Sequence, residues 1–387
     1  MIKYLLFLCL VVLTLSCTRK VSTSRYSLEK TNKVLAFPVI DEVKMPQFSV
    51  FLFNENGEDY LSYQNLPKNE ILIYSIDSQC LIKRLCINTE GDNSVVGGFG
   101  GYYIADMQHI FIPSMYVNTI FVVDTVGKVR RKITYEKTRD NQELKPFMLS
   151  DRSQMVFIGN NLYIPQTINL RLGDKAIAES PIKVVIDTAE NIIKALPMRF
   201  PPLISCKDFG TVGAFGAEYS CCYDGNKFIY SFNADEDLYL TSIEHRSVEK
   251  KKAKSKYIEN VTVFRSNEEN FQKMVKAQCE HASYGKILYD KYRNVYYRFV
   301  YPPCEIDDYT GDYVELLRSG RKNFSIMILD ENLNILGETF FPAYIYNSNP
   351  SFILEDGLYI SLNHIKNPEY SDDILRFQKL ELKGLRK

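Results

Sequence analysis

Short apolar runs alternate with polar turns along most of the chain, and three kinds of run recur in the same order. The first is an apolar strand that ends in an acidic or amide residue. It leads into a turn rich in Asn, Asp and Gly, residues that accept the positive φ of tight hairpins. Its six copies are Phe51-Leu52-Phe53-Asn54, Tyr103-Ile104-Ala105-Asp106, Val156-Phe157-Ile158-Gly159-Asn160, Cys222-Tyr223-Asp224, Leu288-Tyr289-Asp290 and Ile353-Leu354-Glu355-Asp356.

The second run is a returning strand with an aromatic residue near its start, and the third is an apolar strand that ends at an acidic turn before a more polar strand. The second run begins at Tyr60, Ile110, Leu162, Phe228, Val295 and Leu358. The third ends at Asp77, Asp124, Asp187, Glu244, Asp330 and, in a degraded last copy, Glu381. Each unit is therefore predicted to be a four-stranded antiparallel meander whose outermost strand is the most polar.

Six copies of this meander predict an all-β fold, a six-bladed β-propeller of four-stranded antiparallel blades. A pair of β-sandwiches is the alternative, but a sandwich gives no reason for one hairpin pattern to recur six times. The last unit runs out after Leu380, whereas residues 33–39 form a strand with no unit of its own. We expect this N-terminal strand to complete the last blade and so close the ring without a free edge.

The long insertions are predicted to lie at one end of the propeller, because they fall between second and third strands or between blades. They are residues 168–181, 301–322 and 267–280. The last of these predicts the single short helix insertion, with Phe271, Met274, Val275 and Gln278 at helical spacing behind a Ser266-Asn267 cap. Loops gathered at one end of a scaffold commonly carry its function, although they can also merely cover the channel mouth.

Two glycine-rich segments lead into innermost strands at this same end, residues 96–103 and residues 212–219. Glycine lets backbone approach backbone or a ligand closely, and narrow packing near the axis is the favoured interpretation. Neither segment fits a phosphate-binding loop, because the strand follows the glycines and no helix opens after them. The candidate binding residues at this channel mouth are Phe99, Tyr102, Phe215, Glu218 and Tyr219.

The N-terminus has the features of a lipoprotein signal peptide. A lysine, an apolar run at residues 4–15 and Ser16 precede Cys17, and this run is shorter than the roughly 20 residues that a membrane-spanning helix needs. We therefore predict a signal peptide at residues 1–16, lipidation at Cys17, a polar tether at residues 17–29 and the propeller at residues 30–387. Thr14 stands where such signals usually have Leu, so the match is a loose one.

Composition excludes several function classes. The 47 basic and 47 acidic residues balance, which argues against a nucleic-acid partner. Seven cysteines follow the signal segment without Cys-x-x-Cys spacing, and most are expected to be buried small hydrophobes.

Four histidines make no plausible metal cluster, and no serine-hydrolase elbow occurs, so we assign no catalytic residue, no metal site and no cofactor. The segment of residues 307–312 contains three aspartates whose oxygens could bind calcium, but it lacks EF-hand spacing. A solvated loop is therefore the favoured interpretation of this segment.

Cys17 behind a short signal and four further segments point to a known family. The segments are Tyr26-Ser27-Leu28-Glu29-Lys30-Thr31-Asn32, Tyr60-Leu61-Ser62-Tyr63-Gln64-Asn65, Lys68-Asn69-Glu70-Ile71 and Gly100-Gly101-Tyr102-Tyr103-Ile104. In these features the chain resembles an uncharacterised Bacteroidota lipoprotein family of the DUF4221 type, with a TolB-like six-bladed propeller. The resemblance implies an exported, lipid-anchored protein. Thr18-Arg19-Lys20 lacks the acidic stretch of surface-exposed relatives, so the resemblance favours the periplasmic side of the outer membrane.

Two functions remain open at this point. The first is a non-enzymatic binding or scaffold protein, monomeric and attached to the membrane through Cys17, which takes a peptide, a glycan or a partner protein. The alternative is a periplasmic glycan lyase or hydrolase that uses channel-mouth carboxylates such as Glu218 and Asp208. Such an enzyme would need two carboxylates at a fixed separation, and no matched pair stands out, so we favour binding.

Overall fold

The chain folds into six four-stranded antiparallel sheets arranged as a propeller. The computed structural model describes residues 26–39, 50–166, 173–203, 219–263 and 270–384. Within these residues the chain has 24 strands, three α-helices and one 3-10 turn. None of the helices described has the length and apolar character needed to cross a bilayer. The predicted fold class, a six-bladed propeller, is confirmed.

The first three blades follow the chain in order. Blade 1 contains β2 (Phe51–Glu55), β3 (Glu58–Asn65), β4 (Glu70–Ser75) and β5 (Leu81–Cys86), with the 3-10 turn at Leu66–Lys68. Blade 2 contains β6 (Tyr103–Asp106), β7 (His109–Pro113), β8 (Thr119–Val123) and β9 (Val129–Thr134). Blade 3 contains β10 (Val156–Ile158), β11 (Asn161–Pro165), β12 (Lys183–Asp187) and β13 (Ile192–Ala195), with α1 (Asp174–Glu179) between β11 and β12.

The last three blades carry the larger insertions. Blade 4 contains β14 (Tyr219–Tyr223), β15 (Phe228–Phe232), β16 (Asp237–Thr241) and β17 (Val248–Lys252), and α2 (Phe271–Glu280) follows it. Blade 5 contains β18 (Ser283–Asp290), β19 (Val295–Tyr301), β20 (Phe324–Leu329) and β21 (Ile335–Phe341), with α3 (Tyr313–Arg318) between β19 and β20. Blade 6 contains β22 (Asn347–Leu354), β23 (Gly357–Ser361), β24 (Ile374–Gly384) and, as its outer strand, β1 (Tyr26–Pro38).

The N-terminal strand closes the ring as predicted. It pairs antiparallel with β24 from Tyr26 opposite Gly384 to Pro38 opposite Ile374. The tether predicted at residues 17–29 is therefore too long, because the strand already begins at Tyr26. Its first residues are polar, which suits an exposed outer strand and made them look like a linker in sequence.

The apolar core lies between neighbouring blades rather than within one of them. Phe51 and Ile73 of blade 1 pack with Ile104 and Ile110 of blade 2, and equivalent clusters join the other blades. Central strands are buried on both faces, as in β15, where every side chain is buried. The outer strand β17 is mostly exposed and carries three lysines, which suits an edge that must not pair with other chains.

The two ends of the propeller differ. Turns between first and second strands, and between third and fourth strands, lie at one end, which we call the turn face. The connections between second and third strands and the links between blades lie at the other, which we call the loop face. At the turn face an aspartate repeatedly accepts a backbone N–H two residues ahead, at 2.8–3.0 Å. These residues are Asp106, Asp124, Asp187, Asp224, Asp290 and Asp330.

The prediction of a single helix insertion is wrong, since α1 and α3 are also present in the described residues. The predicted helix at residues 267–280 begins only at Phe271. Its N-cap is Asn270, whose side chain accepts the Lys273 N–H, and not the Ser266-Asn267 pair, which lies outside the described residues. Met274, Val275 and Gln278 are buried as predicted, whereas Phe271 is exposed.

The cysteines are less buried than expected. Cys80 and Cys86 are exposed, Cys221, Cys222 and Cys304 are half-buried, and Cys279 is buried, all as free thiols. The alternation of the outer strand β5 turns Cys86 toward solvent, and Cys80 lies in the turn before it.

Candidate binding site at the loop face

A helical cap covers blade 5 on the loop face. Helices α2 and α3 pack through a small apolar core formed by Met274, Val275, Cys279, Ile306, Tyr309 and Leu316. Gln272 links them, because its Nε2 donates to Asp312 Oδ1 at 2.9 Å and its Oε1 accepts the Tyr313 N–H at 3.1 Å. The cap is thus a packed element of the face.

The glycine-rich segment before blade 2 is shaped by close backbone contact. Gly97 and Gly101 have φ values of +76° and +84°. A Cβ at Gly101 would lie 2.5 Å from the Leu149 carbonyl oxygen, and one at Gly97 would lie 2.5 Å from Ser114 Oγ. Side chains at these positions would force neighbouring segments apart, which supports the packing interpretation of these glycines.

Three of the five candidate binding residues lie in the described part of the chain, and all three are buried. Phe99 and Tyr102 belong to the core between blades 1 and 2, and Tyr219 belongs to the core between blades 3 and 4. Phe215 and Glu218 lie outside the described residues, as do Asp208 and the lipidation candidate Cys17.

The buried tyrosines connect blades through their hydroxyl groups. Tyr102 donates to Ser62 Oγ of blade 1 at 3.0 Å. The Tyr219 hydroxyl lies 3.3 Å from the carbonyl oxygen of Gln166 and 3.2 Å from that of Ile182, both in blade 3. These side chains therefore hold the rim of the channel, and their contact with a ligand stays a prediction.

A buried ion pair crosses the central channel. Lys286, in the innermost strand of blade 5, donates to the Asp151 carboxylate, to the Asn349 carbonyl oxygen and to Ser351 Oγ. Both charged side chains are almost fully buried. Burial lowers the pKa of Lys286, and the adjacent Asp151 carboxylate opposes that shift. This channel network joins the segment leading into blade 3 with blades 5 and 6.

The segment that carries Asp151 runs along the inner edge of blade 4. The Arg152 carbonyl oxygen accepts hydrogen bonds from the Cys221 N–H at 2.7 Å and from the Ser220 hydroxyl at 3.0 Å. Ser153 also forms an isolated parallel β-bridge with Cys221. Ser220 Oγ in turn accepts the Ile287 N–H at 3.0 Å. Because strand β14 is the innermost of its blade, this added segment narrows the channel.

Two arginines approach the channel network from the loop face. The guanidinium of Arg321, which follows α3, lies 4.6 Å from the ring centroid of Tyr301. Burial lowers the pKa of Arg321, and the nearby charge of Arg152 lowers it further. The Arg152 charge also lowers the pKa of Lys286. Arg152 is therefore close enough to influence both Arg321 and Lys286.

Exposed apolar side chains also lie on the loop face, at blade 2. Tyr116 is 74% exposed, and Val96, Val117 and Met148 are also exposed. The Tyr116 N–H donates to the Gly97 carbonyl oxygen at 3.0 Å, which fixes the two short loops against each other. Exposed aromatic and aliphatic groups held on rigid loops are typical of interaction surfaces.

The acidic loop at residues 307–312 spreads its carboxylates among separate partners. Asp307 pairs with Lys276 at 2.5 Å, and Asp308 accepts the Tyr344 hydroxyl at 2.8 Å. Asp312 caps α3 by accepting the Val314 N–H. Within the described ranges, no group of three or more His, Cys, Asp or Glu side chains is arranged to hold a metal ion.

Sequence reasoning missed the channel network and Arg321. The available signal was weak: Lys286 interrupts an apolar innermost strand, and the polar segment from Asn347 to Ser351 opens another. A lysine in a strand can equally face solvent, so only the fold shows that this one is buried.

Comparison with known proteins identifies relatives of this chain. Residues 25–340 match the family described as "Domain of unknown function (DUF4221)". No curated protein matches the chain. The crystal structure of a DUF4221 member from Bacteroides vulgatus superposes with a TM-score of 0.81 at 25% sequence identity, over 93% of this chain and 99% of that one. A Bacteroides fragilis protein described as exported has a TM-score of 0.48 at 11% identity, over 93% of this chain and 96% of that one.

Proposed function

The chain belongs to the DUF4221 family, and from this premise we propose that it is a non-enzymatic binding protein of the cell envelope whose loop face binds a peptide, a glycan or a partner protein. One observation carries the proposal: the exposed side chains around Tyr116 lie on the same face as the Arg321 guanidinium. An apolar surface and a cationic group on one face offer a ligand both contact area and orientation.

The proposed lipid anchor at Cys17 would leave this face free. Tyr26 pairs with Gly384 at the turn-face end of blade 6. The eight residues 18–25 can span at most about 28 Å. The membrane would thus lie on the turn-face side, and the loop face would point into the periplasm.

We expect Cys17→Ala to move the protein from the membrane fraction to the soluble fraction. An unchanged membrane fraction would contradict the anchor.

The enzymatic alternative has less support. Asp151, a carboxylate at the channel mouth, is buried and held in an ion pair with Lys286, so it is not exposed to take a proton from a substrate as a general base must. Glu218 and Asp208, the carboxylates considered from sequence, lie outside the described residues. The binding function therefore remains the proposal.

The test compares two equally exposed residues on opposite faces of blade 2. Full-length chain in non-ionic detergent is screened against a glycan array and used to capture ligands from periplasmic extract. Tyr116→Ala should weaken the main interaction at least fivefold. Val126→Ala should leave it unchanged, because Val126 is also 74% exposed but lies on the turn face. Equal effects of the two variants, or no interaction in either screen, would overturn the proposal.

A further inference from the structure

Two buried arginines of blade 5 differ in how many of their side-chain N–H groups are hydrogen-bonded. Arg298 is fully buried, and its guanidinium lies 3.7 Å from the ring centroid of Tyr284. Its five N–H groups are matched by Ser231 Oγ and by the carbonyl oxygens of Asp235, Glu236, Asp237 and Ala253, at 2.6–3.4 Å. Every donor of Arg298 is used to hold blade 4 against blade 5.

Arg321 is almost as buried, at 9% exposed, and is likewise stacked on a tyrosine. One side-chain hydrogen bond is recorded for it within the described part of the chain, from Nη1 to the His281 carbonyl oxygen at 2.9 Å. Its other donors contact no acceptor in that part of the chain. None of them is among the fully buried atoms that lack a partner, so they remain accessible at the channel mouth to an acceptor that a ligand supplies.

The backbone holds Arg321 in this position against a conformational preference. Its φ is +64°, in the left-handed region that residues with a Cβ seldom adopt. The Arg321 N–H donates to the Leu316 carbonyl oxygen at 3.1 Å, and its carbonyl oxygen accepts from His364 Nε2 at 2.8 Å. A Cβ on the preceding Gly320 would lie 2.4 Å from the Ser348 nitrogen, so no other residue fits there. The surroundings fix the position of the guanidinium before any ligand arrives.

Among the described residues, the carboxylates near this mouth already contact other cations. Asp151 is bound by Lys286. Asp308 lies 3.3 Å from Lys322 Nζ, and Glu280 lies 3.6 Å from Lys276 Nζ. Each of these three carboxylates is thus engaged by a lysine rather than by Arg321.

We propose that the Arg321 guanidinium binds an oxyanion of the ligand, a carboxylate or a phosphate, at the loop-face mouth of the channel. This inference rests on the proposed function and specifies the chemistry of its ligand. A planar guanidinium can donate two parallel hydrogen bonds to such a group. Burial of most of the Arg321 side chain strengthens such an interaction.

The test uses full-length chain in detergent, titrated by calorimetry with three probes. Glucuronate carries a carboxylate, glucose is its neutral counterpart, and inorganic phosphate is the second oxyanion. We expect glucuronate, phosphate or both to bind, with an affinity that falls as salt rises, and glucose not to bind. Binding of glucuronate alone would identify a carboxylate ligand, and binding of phosphate alone a phosphorylated one. Binding of neither would overturn the proposal.

Variants then locate the site. Arg321→Gln should weaken oxyanion binding at least tenfold. Arg321→Lys should also weaken it, because an ammonium cannot form the bidentate pair. Arg131→Gln is the matched control, since Arg131 also donates to a backbone carbonyl, that of Thr188, but lies on the exposed outer strand of blade 2. Folded Arg321 variants with unchanged affinity would overturn the assignment.

If neither Arg321 variant folds, crystals of the wild-type chain soaked in selenate provide the test. Anomalous density within hydrogen-bonding distance of the Arg321 guanidinium supports the site, and its absence there overturns it.

The outcome of these tests can be distinguished from the outcome for the proposed function. If ligand capture depends on Tyr116 but no oxyanion binds, the loop face remains the proposed binding surface and only the oxyanion site is refuted. Oxyanion binding without any capture would refute the proposed function instead.

Discussion

The turn face and the loop face are built from the ends of the same blades, but different kinds of interaction hold them. At the turn face each aspartate binds backbone N–H groups of its own turn, as Asp187 does with Ala189 and Glu190 at 2.9 and 3.1 Å. At the loop face Lys286 contacts Asp151, 135 residues away, and Asn349, 63 residues away. These turn-face aspartates thus stabilise their own turns, whereas the loop-face ion pair holds segments of different blades together.

The largest expected effect comes from breaking the channel network. Lys286→Met removes the ammonium group that pairs with the buried Asp151 carboxylate, and we expect a loss of about 3–5 kcal/mol in the free energy of unfolding, measured by urea denaturation. Adding Asp151→Asn should recover part of this loss. Lys227→Met is the turn-face control, since the Lys227 ammonium group donates to the Glu331 carbonyl oxygen at an exposed site. Equal stability of the two lysine variants would refute the contrast between the faces.

Acid should affect both faces through one buried histidine each. Burial lowers the pKa of His364, on the loop face, and of His245, on the turn face, from 6.5 to about 4. Between pH 4 and pH 6.5 the unfolded chain therefore binds more protons than the folded chain. Each histidine contributes stability that is complete above pH 6.5 and is lost as pH falls toward 4, by up to about 3 kcal/mol.

The measurement is thermal unfolding between pH 7 and pH 4. His364→Gln and His245→Gln should each flatten the fall in melting temperature. The His364 variant should also weaken oxyanion binding, because His364 holds the Arg321 carbonyl oxygen. A pH profile unchanged in both variants would show that neither histidine is buried in its neutral form.

A smaller effect should follow from changing one turn. Asp187→Ala removes the acceptor for two backbone N–H groups and should cost about 1 kcal/mol of unfolding free energy. Asp187→Asn keeps an acceptor oxygen at the same place and should cost much less. If both variants lose the same stability, the carboxylate charge matters more than the turn geometry.

The smallest effect is one of reactivity alone. With a thiol reagent at pH 8 and peptide mapping, Cys80 and Cys86 should react first because both are exposed. Cys279, within the helical cap of the loop face, should react last, because burial raises its pKa to about 12. Rapid labelling of Cys279 would indicate that the cap opens in solution.

The fold could be predicted because its signals are local. Asp124, Asp187 and Asp330 mark turns whose hydrogen bonds join residues two to four positions apart, so their spacing along the chain reports the blades directly. The closing strand could also be predicted, since the mainly apolar residues 33–39 form a strand that belongs to no meander nearby in sequence. Its true start at Tyr26 was hidden because an exposed outer strand has the same polar composition as a tether.

The candidate site could be predicted only as far as its face. Insertion lengths pointed to the loop face, but aromatic residues next to glycines, such as Tyr102 and Tyr219, turned out to be buried between blades. The sequence by itself thus determined the number of blades, their order and the end that carries the long connections. Only the tertiary structure decided that Lys286 is neutralised by Asp151 and that Arg321 keeps unmatched donors, because both depend on segments that the closed ring brings together from different blades.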